Sequence, residues 1–200
     1  MAIVVEHDKR RREILEKSLE VFTNEGYEDV TFQKIADRCG ITRTTLYIYF
    51  KNKKDIFRAA LKQLLSDMEA KMKEVVDDAT ITAEQSLRKL TMIIVDYFED
   101  NLNMFSVLLI YLLQLKKSGV DTNEKVQRRV LRLRHHINTV IIRGVKNNEF
   151  SVSNVHQINE LMYGMFEAAI FRIAVLNQHN ISEIRAVLNL AIDGFLNKKS

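Results

Sequence analysis

The chain has 200 residues, 46% of them hydrophobic, with no Pro, 6 Gly and a single Cys. That composition excludes an internal disulfide and a Cys-rich zinc site, and with charged residues at helical spacing it points to an all-α class. The formal net charge of +4 is modest, so where the charge sits says more than its total.

Residues Met1–Val5 are too short for the apolar core of a secretory signal. Lys9-Arg10-Arg11-Arg12 then sets four bases at the start of the first predicted helix, 9–25, which carries Ile14, Leu15, Leu19 and Phe22 on one face and ends at Gly26. Glu13–Asp29 is otherwise acidic. Thr31 is a good N-cap for a short second helix whose apolar residues Phe32, Ile35, Ala36 and Cys39 fall at i, i+3, i+4 and i+7. Gly40 stands where that helix must stop, because glycine takes the left-handed conformation without steric cost. Ile41 plugs the corner, Thr42 caps a third helix, and Leu46 and Phe50 form its inward pair. Two short helices meeting at a glycine turn make a helix-turn-helix. Cys39 reads as a small buried apolar residue beneath it.

The outer face of the third helix is unusual. An ordinary solvent face carries Lys and Glu; this one carries Thr44, Thr45, Tyr47 and Ile48, with Arg43 in the first turn. Thr and Ile suit thymine methyls, and Arg suits guanine or phosphate, in a major groove. Tyr47 and Tyr49 can donate hydrogen bonds to phosphates. Asn52 reads as the cap of a fourth helix with lysines in its first turn, where they oppose the macrodipole. A phosphate held between Lys53 and the free backbone N–H groups would account for them. Residues 31–58 hold seven bases against two acids. The plainer reading of this stretch is a packed helical pair with a polar surface.

The segment Gly26-Tyr27, Thr31, Ile35-Ala36, Gly40-Ile41, Thr45-Leu46-Tyr47 and Tyr49-Phe50-Lys51-Asn52-Lys53 resembles the DNA-binding domain of TetR-family transcriptional regulators, over roughly residues 10–58. The resemblance implies a homodimer whose paired helix-turn-helix units read a palindromic operator, and release from DNA when a small molecule enters a larger helical domain. On that basis the expected groove contacts are Arg43, Thr44, Thr45, Tyr47 and Ile48, and the expected phosphate contacts Thr31, Tyr49 and Lys53.

The fourth helix runs unbroken from Asn52 to about Asp78, so the expected division is a DNA-binding head at 1–52 and an effector-binding and dimerisation body at 53–200. Further helices are expected at Thr82–Asn101, at Asn103–Lys117 (nearly apolar throughout and so central to the core), at about 123–147 after a Gly119-Val120-Asp121 turn, at Val155–Asn177 and at Ile181–Asn197. The basic face of the 123–147 helix, including Arg128, Arg129, Arg132, Arg134 and His135, reads better as a solvated body surface than as a DNA contact. The 155–177 helix is apolar almost all round, so it sits mid-core or meets a partner. Pairing it with the last helix across a two-fold axis makes a four-helix bundle, the homodimer interface that the resemblance also implies. The most apolar run, Met104–Leu115, falls well short of the ~20 residues that span a bilayer, and a cytoplasmic protein is expected.

Met68, Met72, Phe98, Phe105, Tyr111, Met162, Tyr163 and Phe166 read as core or as the lining of an effector site. Glu167, a charge inside an otherwise apolar helix, reads as a partner for a cationic ligand or, more plainly, as half of a salt bridge or a residue on a solvent-facing edge. No metalloprotease, di-iron, nucleophile-elbow or phosphate-loop pattern is present, and neither a cofactor, a metal site nor an enzyme is expected. The expected function is a cytoplasmic DNA-binding transcriptional repressor released by a small, largely apolar effector. The alternative is an all-helical protein-interaction module.

Overall fold

The computed structural model describes residues 2–119, 123–176 and 182–197. Those residues form α-helices and no strand, apart from an isolated antiparallel bridge between Phe150 and Leu196. The expected turn at Val120-Asp121, the expected helix limits Asn177 and Ile181, and the side chains of Val126 and Arg129 lie outside the described residues. The chain divides into two compact units, Met1–Asp67 and Met68–Ser200. The first therefore reaches past the boundary at 52 read from sequence.

In the first unit, α1 (Ala2–Asp29) starts well before residue 9, so Lys9–Arg12 lie within the helix rather than at its start. Gly26, at φ 81 and ψ 164, interrupts it where the sequence demanded a break. α2 (Phe32–Cys39) and α3 (Arg43–Tyr49) follow. Thr31 Oγ1 accepts the Lys34 N–H at 3.2 Å, and Gly40 adopts φ 66, ψ 35, letting the Ile41 N–H reach the Ala36 carbonyl. Ile14, Phe22, Ile35, Leu46, Ile56 and Phe57 are almost completely buried, with Phe22 and Phe57 edge to face at 4.8 Å. Ile56, Phe57 and Ala60 belong to the start of α4 (Lys53–Asp77), so the head is incomplete without that helix. Burying side chains of this size contributes about 1.5–3 kcal/mol each, a large share of what so small a head can gather.

In the second unit, the end of α4 is joined by α5 (Ala83–Asp100), α6 (Leu102–Lys117), α7 (Asn123–Lys146), α8 (Val155–Ala174) and α9 (Ser182–Phe195). α5 is the central helix. It packs on α7 and α9 and buries Leu87, Leu90, Ile94, Val95 and Phe98. The expectation that α6 is central is corrected: it buries only Met104, Val107 and Tyr111, leaving Ile110 and Leu113 more than half exposed. A largely apolar sequence marks a helix that wants cover, and in this single chain α6 has cover on one side only.

Polar groups tie these helices together. Arg143 of α7 donates to the Val76 carbonyl at the end of α4 (3.0 Å) and to the buried Ser86 hydroxyl of α5. Arg88 of α5 meets Asn189 and Asp193 of α9, and Arg185 of α9 meets Asp96 at 2.7 Å and Glu99. After α7, Asn148 turns at φ 60 and Phe150 folds back over Gly144. The same stretch pairs with the end of α9 through Ser151 N–H to the Phe195 carbonyl at 2.8 Å.

Candidate nucleic-acid interface

The second cap of the helix-turn-helix is Thr42, whose Oγ1 accepts the Thr45 N–H at 3.1 Å. With Leu46 fully buried and Phe50 nearly so, the opposite side of α3 faces outward. Arg43 and Thr44 are exposed, Tyr47 is 49% exposed and Ile48 69%. An isoleucine that open is costly to leave in water and is well placed to meet an apolar group. Thr45 is half-buried, its hydroxyl 2.8 Å from that of Thr42.

Two contacts fix the direction of Tyr47. Its ring lies 4.5 Å from Phe32, and its hydroxyl accepts from Arg43 at 3.2 Å. The Arg43 guanidinium also sits 5.6 Å from the same ring, so the two outward side chains form one preset pair. Tyr49 is half-buried against His7 of α1, ring centroids 4.6 Å apart. The first helix predicted from sequence excluded His7, so this contact was missed. Thr31 is exposed with its hydroxyl capping α2.

Lys53 has a different use from the expected phosphate contact. Its Nζ donates to the Tyr27, Glu28 and Val30 carbonyls at 2.9, 2.9 and 3.0 Å, and lies 4.8 Å from the Tyr27 ring. An ammonium has three protons, and here each has a carbonyl. These carbonyls lie in the last turn of α1 and just beyond it, where no further helical N–H follows to pair with them. Asn52 does cap α4 as read, its Oδ1 accepting the Asp55 N–H at 2.9 Å. On the flank, Arg11 lies over the Phe50 ring at 4.9 Å, Arg10 pairs with Glu13 at 3.0 Å, and Lys9 and Arg12 are exposed.

Residues 14–60 match the family described as bacterial regulatory proteins, tetR family. The HTH-type transcriptional regulator TtgW of Pseudomonas putida is 30% identical over 123 residues, 61% of this chain and 87% of the relative. The chain belongs to the TetR family. The fold agrees. A TetR transcription regulator from Haloarcula marismortui superposes with TM-score 0.81 at 20% identity, covering 95% of this chain and all of the other. The regulator FadR of Bacillus subtilis, crystallised with stearoyl-CoA, superposes with TM-score 0.70 at 20% identity, covering 92% and 98%. This TetR-family chain is a DNA-binding transcriptional regulator, not an enzyme.

Of the residues read as core or effector lining, Met68, Met72, Phe98, Tyr111, Met162 and Phe166 are buried in the second unit of the regulator, and Phe105 stands edge-on to Phe98 at 4.6 Å. Tyr163 is half-buried under the Arg134 guanidinium at 4.1 Å, and burial, then the nearby Glu167, pushes its phenol pKa above the ordinary 10. Glu167 itself is exposed, as a residue on a solvent-facing edge of α8. The exposed side of α8, uncovered in the single chain, is where it sits. A surface groove of about 590 Å³ lies elsewhere, between α7 and α8, lined by Leu131, Arg134, His135, Asn138, Val155 and Glu160 among others. No cluster of three metal-ligating side chains occurs among the described residues, and no described helix is long and apolar enough to cross a membrane.

Proposed function

We propose that this TetR-family regulator is a cytoplasmic repressor that binds an inverted-repeat operator as a homodimer and leaves it when a largely apolar effector enters the second unit. The observation that carries the DNA part is the outward face of α3, where the preset Arg43–Tyr47 pair stands beside exposed Thr44 and Ile48. Arg43 reaches guanine or phosphate, Thr44 and Ile48 meet thymine methyls, and Thr45 lies at the groove edge. Thr31, Tyr49 and the backbone N–H groups at the start of α4 hold phosphates. The Lys53 ammonium is not in this set, because its protons are spent inside the head.

The dimer reading rests on apolar faces that the single chain leaves bare. Leu161, Gly164, Ala168 and Phe171 form an exposed stripe at helical spacing on α8, and Val187, Leu190 and Gly194 do so on α9. Pairing the two stripes across a two-fold axis buries both. The effector reading rests on the buried Met and aromatic residues of the second unit and on the stearoyl-CoA held by the B. subtilis regulator, so a long acyl chain is the first ligand class to try.

The test is selection from a randomised DNA pool. An inverted repeat with half-site centres about 34–36 Å apart, or a multiple, supports the reading. Binding without enrichment, or binding indifferent to salt, refutes it, since phosphate neutralisation releases counterions. Stearoyl-CoA then serves as the probe for release from the recovered operator.

A further inference from the structure

His7 stacks on Tyr49 with ring planes 24° apart. Four residues on, Arg11 lies over the Phe50 ring. Residues at i and i+4 share a helix face, so one face of α1 grips two successive rings at the end of α3. The two rings have different fates. Phe50 is 5% exposed and belongs to the core, whereas Tyr49 is half-buried. Tyr49 is also the last residue of α3, and the backbone turns extended at Phe50 (φ −145, ψ 141). No helical turn follows to restrict its side chain, and the imidazole is the aromatic surface that does so.

We propose that His7 is a positioning residue for DNA binding, its imidazole holding the Tyr49 ring so that the phenolic hydroxyl meets a DNA phosphate. The role rests on the DNA reading above. Its physical content is preorganisation: a side chain fixed before the phosphate arrives loses less freedom on binding. The ring, not the charge, does this, so Phe should serve in place of His.

The experiment is a double-mutant cycle on the full chain, with affinity measured for the operator that wild type enriches. His7→Ala should weaken binding about two- to tenfold, the range that aromatic pairs span. His7→Phe should restore it. Tyr49→Phe should lose the hydroxyl contact while keeping the stack, and in a Tyr49→Ala background His7→Ala should cost nothing more. Wild-type affinity in His7→Ala, no rescue by His7→Phe, or a full-sized loss persisting without Tyr49 overturns this role alone. A wild-type chain that enriches no sequence overturns the DNA reading and this role with it.

Discussion

Replacing Lys53 by Met tests whether this lysine serves the fold or the DNA. Methionine keeps an unbranched apolar stem of similar reach and removes the ammonium. Three carbonyls then lose a charged donor; the contacts with Tyr27 and Val30 are partly buried and that with Glu28 is exposed. Hydrogen bonds to a charged group contribute about 1.5–3 kcal/mol each when buried. Water can replace the lost donor at the exposed carbonyl and partly at the others, and the ammonium's own desolvation cost disappears. The expected net loss is about 2–4 kcal/mol, read by urea unfolding of the head's helical signal. Lys53→Arg should lose part of that, because a planar fork cannot aim at three converging carbonyls. The decisive assay is salt-dependent operator binding. Each neutralised phosphate contributes about 0.9 to the slope of log affinity against log salt. With the ammonium internal, Lys53→Met keeps the wild-type slope while affinity drops uniformly with the loosened head. A slope shallower by about 1 per protomer, with stability unchanged, would falsify this account and return Lys53 to the phosphate.

Four further outcomes follow from the packing. A Cβ on Gly144 would lie 2.1 Å from a Phe150 ring carbon, so Gly144→Ala should cost about 1–3 kcal/mol or more by overpacking; an unfolding midpoint equal to wild type would sink the contact. Burial, then the neighbouring His135, depresses the His136 pKa below the ordinary 6.5, with Glu69 and Asp77 opposing and Lys73 assisting. Its unfolded form thus takes up a proton first, so stability should be full above about pH 6.5 and fall as pH drops below it, and His136→Leu should flatten that slope in pH-dependent melts. Cys39 is 4% exposed, with its thiol pKa raised chiefly by burial, so a thiol reagent should react slowly with the native chain and fast in guanidinium chloride; equal rates would refute the burial. Leu190, 70% exposed on α9, should yield monomers on sedimentation when replaced by Asp, and an unchanged mass would remove it from the dimer face.

What could be read from the sequence and what could not divide along a physical line. Thr31, Gly40, Thr42 and Asn52 were legible because a cap acts within one helical turn, so residue type and spacing carry the whole signal. The outward face of α3 was legible for the same reason, being the complement of an i, i+4 buried pair. Lys53 shows the limit of the same local rule, because its contacts are with residues far off in sequence. A lysine in the first turn of a helix does need a compensating partner, and spacing alone offers a phosphate as the nearest one. In the structure the ammonium meets a carbonyl cluster from residues 27–30, at the C-terminal end of α1. The reading of α6 as the centre of the core failed in a related way. Hydrophobicity counts how much cover a helix wants, and cover comes from whichever chain supplies it. An apolar α6 with Ile110 and Leu113 open, and an α8 with Glu167 and Phe171 open, mark the surfaces where the single chain does not finish its own burial. For a protein proposed to work as a dimer these bare faces are informative: the exposed stripe of α8 is one that a second copy can cover, whereas the buried face of α5 is enclosed by its own chain.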